Sequence, residues 1–362
     1  MPASSLILTA VLALGLWDHP GYDAEDSHYN PHETRVTIAT IAKVTRTWQV
    51  DLRTSAESCS RFATPVVAGG RIHVSDQLGL STYDVKTGQP LWRYDWKDAD
   101  DTGTPRLAVS DGLVIAAGND CNSQSDPDGY LFAVDARTGL PRWQQSTGSP
   151  ITSMVVDKGV VAVSGGSASD DNEVTAFATR DGRELWSRPN ALTSEVSANG
   201  TLLLRTEDTK SSAASILTGK DSWTRDSTWT ARAADPHSEW FYATDAAGNL
   251  SAIRVSDGAV RWKIPSSKTD TNEMAVDENR IYRASGRNIL ALNTADGTKA
   301  WSRTQSAEAT QPTRAGDLLY AGGHPLNPDN GTPTTPDFPG KLLVTNGRIH
   351  QLNNGVLTTW SR

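Results

Sequence analysis

Short runs of alternating apolar and polar residues recur along this chain, and Asn, Asp and Gly separate one run from the next. The segment from Asn272 to Arg303 contains four such runs, "NEMAVDEN", "RIYRASG", "RNILALNTADG" and "TKAWSR". Alternation with a period of two is typical of strands with one buried face, and the intervening residues favour tight turns. The pattern therefore predicts an all-β chain built from units of roughly 40 residues, each with four antiparallel strands.

A Gly that stands four residues before a Trp marks the same turn in six of these units. The six pairs are Gly88 and Trp92, Gly139 and Trp143, Gly182 and Trp186, Gly219 and Trp223, Gly258 and Trp262, and Gly297 and Trp301. Successive glycines are 51, 43, 37, 39 and 39 residues apart. The Gly allows a positive φ at the turn, and the flat Trp ring can fill the space between neighbouring sheets. We interpret the tryptophans as blade-to-blade packing in a β-propeller, not as a ligand cage.

The repeat resembles a known superfamily. The stretches "LFAVDARTGLPRW" and "ILALNTADGTKAW" resemble the repeat of the pyrroloquinoline-quinone-type β-propellers, and the segment from Asp23 to Leu52 resembles their lead-in. The resemblance implies a propeller over nearly the whole chain. It implies less about function, because the superfamily includes quinoprotein dehydrogenases, a lipoprotein of outer-membrane β-barrel assembly and secreted proteins of unknown role.

The C-terminal region predicts how many blades there are. The stretch "PLNPDNGTPTTPDF" aligns with the end of a repeat, with Gly331 at the turn and Thr335 at the Trp position, which indicates a degenerate seventh blade. The tail from Lys341 to Arg362 supplies three strands, and Trp360 falls in the third. The sequence therefore favours eight blades, with seven as the alternative.

The missing fourth strand of the last blade is predicted at the other end of the chain, in "RTWQVDL", where Trp48 takes the place of the repeated Trp. Pairing of this strand with the C-terminal blade would close the ring. We expect a signal peptide over residues 1–16, a lead-in over 17–44 and one propeller domain over 45–362. The lead-in is expected to pack against the propeller.

Composition and charge narrow the cellular context. The net charge is −8, and Lys and Arg are scattered without a run, so a nucleic-acid or anionic-membrane surface is not expected. The first 16 residues, "MPASSLILTAVLALGL", suit the apolar core of a secretory signal and are too short to span a bilayer. No Lys or Arg precedes the apolar run, so either the true start lies upstream or the segment is not a signal. We favour export.

The two cysteines, Cys59 and Cys121, do not form the close pairs that metal motifs need. In an exported chain one disulfide between them is expected. Two buried free thiols are the alternative.

Two groups of residues could bind a metal ion. Asp120, Asn122, Asp126 and Asp128 crowd oxygen atoms on one loop, which makes calcium a candidate ligand. A solvated turn is the alternative and the interpretation that we prefer.

Three histidines, His19, His28 and His32, lie near the N-terminus with spacings that could assemble a metal site. Packing of this segment against the propeller explains them better.

No motif for an activated nucleophile or a phosphate-binding loop is found, and we assign no catalytic residue. The resemblance would imply a quinone cofactor held above a calcium ion, but the chain has no adjacent cysteines, and the family's ligands match no residue here. Pyrroloquinoline quinone is therefore not expected. A lipid anchor is disfavoured, because the first cysteine is Cys59. We favour a secreted, monomeric, non-catalytic propeller that binds a protein, peptide or glycan on one loop face.

Overall fold

Eight small β-sheets contain the described strands and form the eight blades of a β-propeller. The computed structural model describes residues 16–122, 127–206, 209–265, 273–306 and 308–362. The first strands of consecutive blades contact one another, so these strands surround the central axis and the fourth strands lie on the rim. The eight-bladed prediction is confirmed, and the seven-bladed alternative is wrong.

The chain enters through a lead-in that contains one short strand and one helical turn, and it then forms the outermost strand of the last blade. These elements are β1 (Tyr29–Asn30), a 3-10 helix (Ile41–Lys43) and β2 (Thr45–Asp51).

Three regular four-stranded blades follow. Blade 1 comprises β3 (Val66–Ala68), β4 (Arg71–Asp76), β5 (Gly79–Asp84) and β6 (Pro90–Asp95). Blade 2 comprises β7 (Arg106–Ser110), β8 (Leu113–Asn119), β9 (Gly129–Asp135) and β10 (Pro141–Ser146). Blade 3 comprises β11 (Ser153–Asp157), β12 (Val160–Gly165), β13 (Glu173–Ala178) and β14 (Glu184–Pro189).

The next three blades follow the same order, except that the first strand of blade 4 is divided into two pieces. Blade 4 comprises β15 (Ala191–Leu192), β16 (Ser197–Ala198), β17 (Thr201–Thr206), β18 (Ser211–Ser215) and β19 (Asp221–Arg225). Blade 5 comprises β20 (Trp229–Ala234), β21 (Trp240–Asp245), β22 (Leu250–Arg254) and β23 (Val260–Ile264). Blade 6 comprises β24 (Met274–Val276), β25 (Arg280–Ser285), β26 (Asn288–Asn293) and β27 (Lys299–Thr304).

Blade 7 is degenerate, as the sequence predicts. It contains β28 (Thr313–Ala315) and β29 (Leu318–Tyr320), and β1 of the lead-in pairs with β28 in parallel. The outer half of the blade is reduced to single bridges, in which Leu326 pairs with Leu319 and with Pro333.

Blade 8 joins the two ends of the chain. It comprises β30 (Lys341–Thr345), β31 (Arg348–Asn353), β32 (Val356–Ser361) and the N-terminal strand β2. Strand β2 runs antiparallel to β32, and Trp48 lies opposite Thr359. The predicted closure is confirmed, and it leaves no open strand edge between the chain ends.

The buried apolar residues of the described chain fall into eight clusters, and each cluster lies between two neighbouring blades. One cluster combines Ile115 of blade 2 with Val161 and Phe177 of blade 3, and another combines Leu343 of blade 8 with Ile72 of blade 1. The core is therefore a ring of interfaces between sheets, and each blade depends on both of its neighbours for burial.

Each repeated Trp contacts the following blade at a fixed place. Its indole N–H donates to a backbone carbonyl in that blade, and its ring lies against the Gly of the turn between the third and fourth strands. The contacts pair Trp48 with Gly88, Trp92 with Gly139, Trp143 with Gly182, Trp186 with Gly219, Trp223 with Gly258, Trp262 with Gly297, and Trp301 with Gly331. A Cβ atom at Gly88 would lie 2.6 Å from Cδ2 of Trp48, so the close approach requires glycine as much as the positive φ does.

The same geometry explains why blade 7 lacks the Trp. Blade 8 has no turn between its third and fourth strands, because its fourth strand is β2, which precedes the other strands in sequence. A Trp at Thr335 would have no turn glycine to pack against.

Candidate functional site: the axial cavity

The first strands enclose an axial cavity of about 1160 Å³. Residues at the N-terminal ends of these strands, or just before them, line it in every blade: Thr64, Arg106, Ser153, Leu192, Thr230, Glu273, Thr313 and Lys341. The cavity is therefore a product of ring closure, because no single blade could form it.

The lead-in closes the opposite end of the channel. Between residues 17 and 30 it bonds to the inner strand of each blade in turn, near the C-terminal end of that strand. The bonded partners are Trp17 and Val67, Asp18 and Val109, His19 and Val156, Ala24 and Ser197, Glu25 and Ala234, Ser27 and Val276, His28 and Arg314, and Asn30 and Val344, at 2.7–2.8 Å. Most of these bonds join backbone groups.

Three residues of the lead-in, Pro20, Asp26 and His28, form part of the cavity lining. They lie at the closed end, because the lead-in is bonded to the far ends of the inner strands. The cavity consequently has one closed end and one mouth. A ligand or a partner segment would enter from the face that carries the loops before the first strands.

The closed end holds ionisable groups whose pKa values are shifted by burial. Burial and the nearby charge of Glu25 raise the pKa of Asp23 to about 7. Burial also raises the pKa of Asp26 well above its ordinary value, and the charges of Glu195 and Asp23 add to this effect. Burial lowers the pKa of His28 to about 4, so this imidazole is neutral at pH 7.

The lining is richer in cations than the chain as a whole. The described residues around the cavity include five cationic side chains and three carboxyl groups: Arg61, Arg106, Arg205, Arg232 and Lys341, and Asp26, Glu195 and Glu273. The whole chain, by contrast, has a net charge of −8. Since five cations face three carboxyl groups, the described lining carries an excess of positive charge.

Two of these cations have neighbouring carboxylates. Arg106 forms an ion pair with Glu195 and donates to the carbonyl of Thr152 at 2.7 Å. Burial lowers the pKa of Lys341, and the charge of Glu273 partly offsets that shift.

The oxygen-rich loop proposed from the sequence lies away from the cavity lining. The Asp120 carboxylate accepts the backbone N–H of Asp128 at 3.1 Å, and Asn122 donates its backbone N–H to Asp101. Asp126 lies outside the described residues. In the described parts of the chain, no group of three or more His, Cys, Asp or Glu side chains is arranged to hold a metal ion.

A disulfide joins Cys59 and Cys121, whose Cα atoms are 6.6 Å apart. It links the segment before blade 1 to the loop after β8 of blade 2. The disulfide therefore holds this loop next to the segment that connects β2 to β3.

The three N-terminal histidines lie in separate environments. His19 bonds to Asp18 through Nδ1 at 2.8 Å and to the carbonyl of Val156 through Nε2 at 2.7 Å. Burial alone would lower its pKa, but the bond to Asp18 and the charge of Asp18 raise it above the ordinary value. The backbone N–H of His32 donates to Asn30. These contacts fit the interpretation that the segment packs against the propeller.

Sequence reasoning missed the cationic lining. Arg61, Arg106, Arg205, Arg232 and Lys341 lie far apart along the chain and share no motif, so only the closed ring brings them together. One weak sequence signal marks the part of the lining that blade 4 contributes. The stretch "LTSEV" interrupts the strand alternation there, within the shortest repeat period of 37 residues.

The fold, the repeat and the closure place this protein among the PQQ-like β-propellers. The family model described as "Outer membrane protein assembly factor BamB" matches residues 35–165, 77–232 and 127–333. The chain belongs to that family.

Individual relatives differ in their printed activities. The chain is 30% identical over 149 residues to the "1-butanol dehydrogenase (cytochrome c)" of Thauera butanivorans, a match that covers 40% of this chain and 21% of the relative. It is 27% identical over 154 residues to the "Outer membrane protein assembly factor BamB" of Nitrosomonas eutropha, which covers 42% of this chain and 33% of the relative. The chain therefore matches a third or less of the length of either relative.

Among solved structures, BamB from Moraxella catarrhalis is similar with a TM-score of 0.59 and 20% identity, over 88% of this chain and 98% of that one. At this identity the likeness supports the fold alone. No helix among the described residues is long and apolar enough to cross a membrane.

The described residues lack one feature that the resemblance associates with a quinone cofactor. The two cysteines are bonded to each other 62 positions apart and cannot form the ring of adjacent cysteines that the resemblance implies.

Proposed function

We propose that this protein is a non-catalytic binding and scaffold propeller that acts outside the cytoplasm and holds a partner protein at the mouth of its axial cavity. The observation that carries the proposal is the one-ended cavity. The lead-in bonds to all eight blades and closes one end, so that binding is directed to the other face.

The chemistry of the lining suits the binding of a charged partner, because five cationic side chains surround the cavity. The cations of the lining are well suited to hold and orient a partner.

Three observations support a location outside the cytoplasm. The N-terminal segment has the composition of a secretory signal. Cys59 and Cys121 are joined in a disulfide, which is rare in cytosolic proteins. The family carries the name of an outer-membrane assembly factor.

The second candidate function is that of a quinone-dependent dehydrogenase. The similarity to 1-butanol dehydrogenase favours it, although that match covers 21% of the enzyme. The disulfide between Cys59 and Cys121 weighs against it, because neither cysteine can then belong to the adjacent pair that the resemblance implies.

The experiment places a photo-crosslinking amino acid at Thr230, in the cavity wall at the start of β20, or at Asn354, at the mouth of the cavity. The matched control position is Arg142, which is half exposed on the rim strand β10 and pairs with Asp135. In cells that produce the protein, we expect Thr230 and Asn354 to crosslink to the same partner and Arg142 not to do so. Equal adducts at all three positions, or none at the cavity, would reject the binding face.

A parallel assay tests the non-catalytic half of the proposal. The purified protein is incubated with pyrroloquinoline quinone, Ca²⁺, an alcohol and a dye acceptor. We expect no quinone-dependent turnover, and turnover would establish the dehydrogenase instead.

A further inference from the structure

In blade 4 the innermost strand is divided where it borders the cavity. Its first piece, β15, pairs with Arg205 and Thr206, and its second piece, β16, pairs with Thr201 and Leu202. Residues 193–196 leave the sheet between the two pieces and line the cavity. The division also uncovers the second strand, because Leu203 and Arg205 of β17 reach the cavity.

The backbone of this break is held firmly. The N–H of Thr193 donates to Oγ of Ser164 at 3.0 Å, and Oγ of Ser153 donates to the carbonyl of Thr193 at 3.0 Å. Both serines belong to blade 3. The conformation of the break is therefore fixed by hydrogen bonds to the neighbouring blade.

Two hydroxyl groups of the break, by contrast, have no hydrogen-bond partner among the described residues. Thr193 and Ser194 are 8% and 9% exposed, and neither hydroxyl oxygen has a hydrogen-bond partner among the described residues. A buried hydroxyl without a partner costs about 1–3 kcal/mol. Both residues line the cavity, so a rotation about χ1 would turn either unpaired hydroxyl toward a ligand there.

Arg205 and Arg232 also line the cavity, and no carboxylate of the described residues forms an ion pair with either of them. Arg232 of β20 donates from Nε to Oγ1 of Thr244 at 2.9 Å, which orients its guanidinium. Burial lowers the pKa of Arg232, and the positive charge of Arg205 lowers it further. Glu195, the nearby carboxylate, is already paired with Arg106.

We propose that Thr193, Ser194, Arg205 and Arg232 form an oxyanion-binding recess that takes a carboxylate or phosphate group of a ligand in the axial cavity. Guanidinium groups bind such oxyanions through charge-assisted hydrogen bonds, and the two hydroxyls supply further donors. An anion between the two arginines would also remove their mutual repulsion. This site goes beyond the proposed function, because it needs no partner protein to be occupied.

The test is calorimetric titration of the purified full chain with three separate probes, citrate, inorganic phosphate and a hexaglutamate peptide. We expect saturable binding of at least one probe by the wild-type protein, and a Kd about tenfold or more weaker in Arg205→Gln and Arg232→Gln. Arg142→Gln, which removes an exposed rim arginine, should bind as the wild type does. Thr193→Val with Ser194→Ala should also weaken binding.

The three probes distinguish the source of the anion. Binding of citrate or phosphate indicates a small molecule, whereas binding of hexaglutamate alone indicates an acidic peptide segment. Arg205 is exposed on the cavity wall, so Arg205→Gln keeps the test valid if Arg232→Gln fails to fold.

The recess is rejected if no probe binds the wild type, or if both arginine variants bind like the wild type. Either result leaves the crosslinking outcome unaffected, so failure of the recess and failure of the proposed function can be told apart.

Discussion

Trp48 joins the last blade to the first, and its removal tests how the ring is closed. The side chain is 9% exposed and packs among Leu52, Val67 and Tyr83. Its indole N–H donates to the carbonyl of Val85 at 3.3 Å. Trp48→Ala would therefore leave a cavity at the interface between blade 8 and blade 1, beside the pairing of β2 with β32.

The expected loss of stability follows from the burial of the Trp48 side chain. Truncation of a buried aromatic side chain to Ala costs about 3–5 kcal/mol, and the lost indole hydrogen bond is included in that range. A chain of 362 residues has an unfolding entropy that converts a loss of about 4 kcal/mol into a fall in Tm of about 5 °C. Urea unfolding and calorimetry measure the two quantities.

Trp92→Ala is the matched control, because Trp92 makes the same contact between blades 1 and 2, away from the chain ends. Both variants should lose stability. Only Trp48→Ala should speed hydrogen exchange in β2 and β32, since their pairing depends on the N-terminal strand. A Trp48→Ala protein that melts within about 1 °C of the wild type would refute closure by this strand.

Three further predictions concern the disulfide, the closed end of the cavity and the oxygen-rich loop. Replacing Cys59 and Cys121 by Ser should lower the free energy of unfolding by about 4 kcal/mol, because the disulfide closes a loop with a sequence separation of 62. Calorimetry of the variant measures this loss. Peptide mapping that finds two free thiols in the wild type would contradict the prediction. The raised pKa of Asp23, about 7 in the folded state, means that the folded state binds a proton more tightly than the unfolded state, so stability should fall as pH rises from about 4 to about 7. Asp23→Asn should flatten this dependence in urea titrations across that range, and an unchanged pH profile would contradict it. Millimolar Ca²⁺ should leave Tm unchanged, because the Asp120 carboxylate already accepts the N–H of Asp128; a rise in Tm would show that the loop binds the ion.

The blades could be predicted from the sequence because each carries its own local signal. The turn Gly and the Trp of blade 6, Gly297 and Trp301, lie within one run of alternating strands, and their roles depend on geometry that every repeat shares. Closure was also predictable, since a tail of three strands needs a fourth and Trp48 supplies the missing member of the set.

The cavity could not be predicted in the same way. The lead-in is held mainly by backbone hydrogen bonds, which any sequence can form, so neither Ala24 nor Glu25 signals its contact with a blade. The recess depends on a strand break in blade 4 and on Arg232 of blade 5, which meet at the interface between two neighbouring blades. Local alternation carries no information about which side chains converge at the axis.

Binding at the mouth of the axial cavity is tested most directly by the affinity of the crosslinked partner for charge-reversed proteins. The comparison uses the wild type, the double variant Arg205→Glu with Arg232→Glu, and the rim control Arg142→Glu, all verified by calorimetry to be folded. We expect the double variant to bind the partner at least about a hundredfold more weakly and the rim control to bind like the wild type. Equal affinities for all three proteins would contradict a binding site in the cavity.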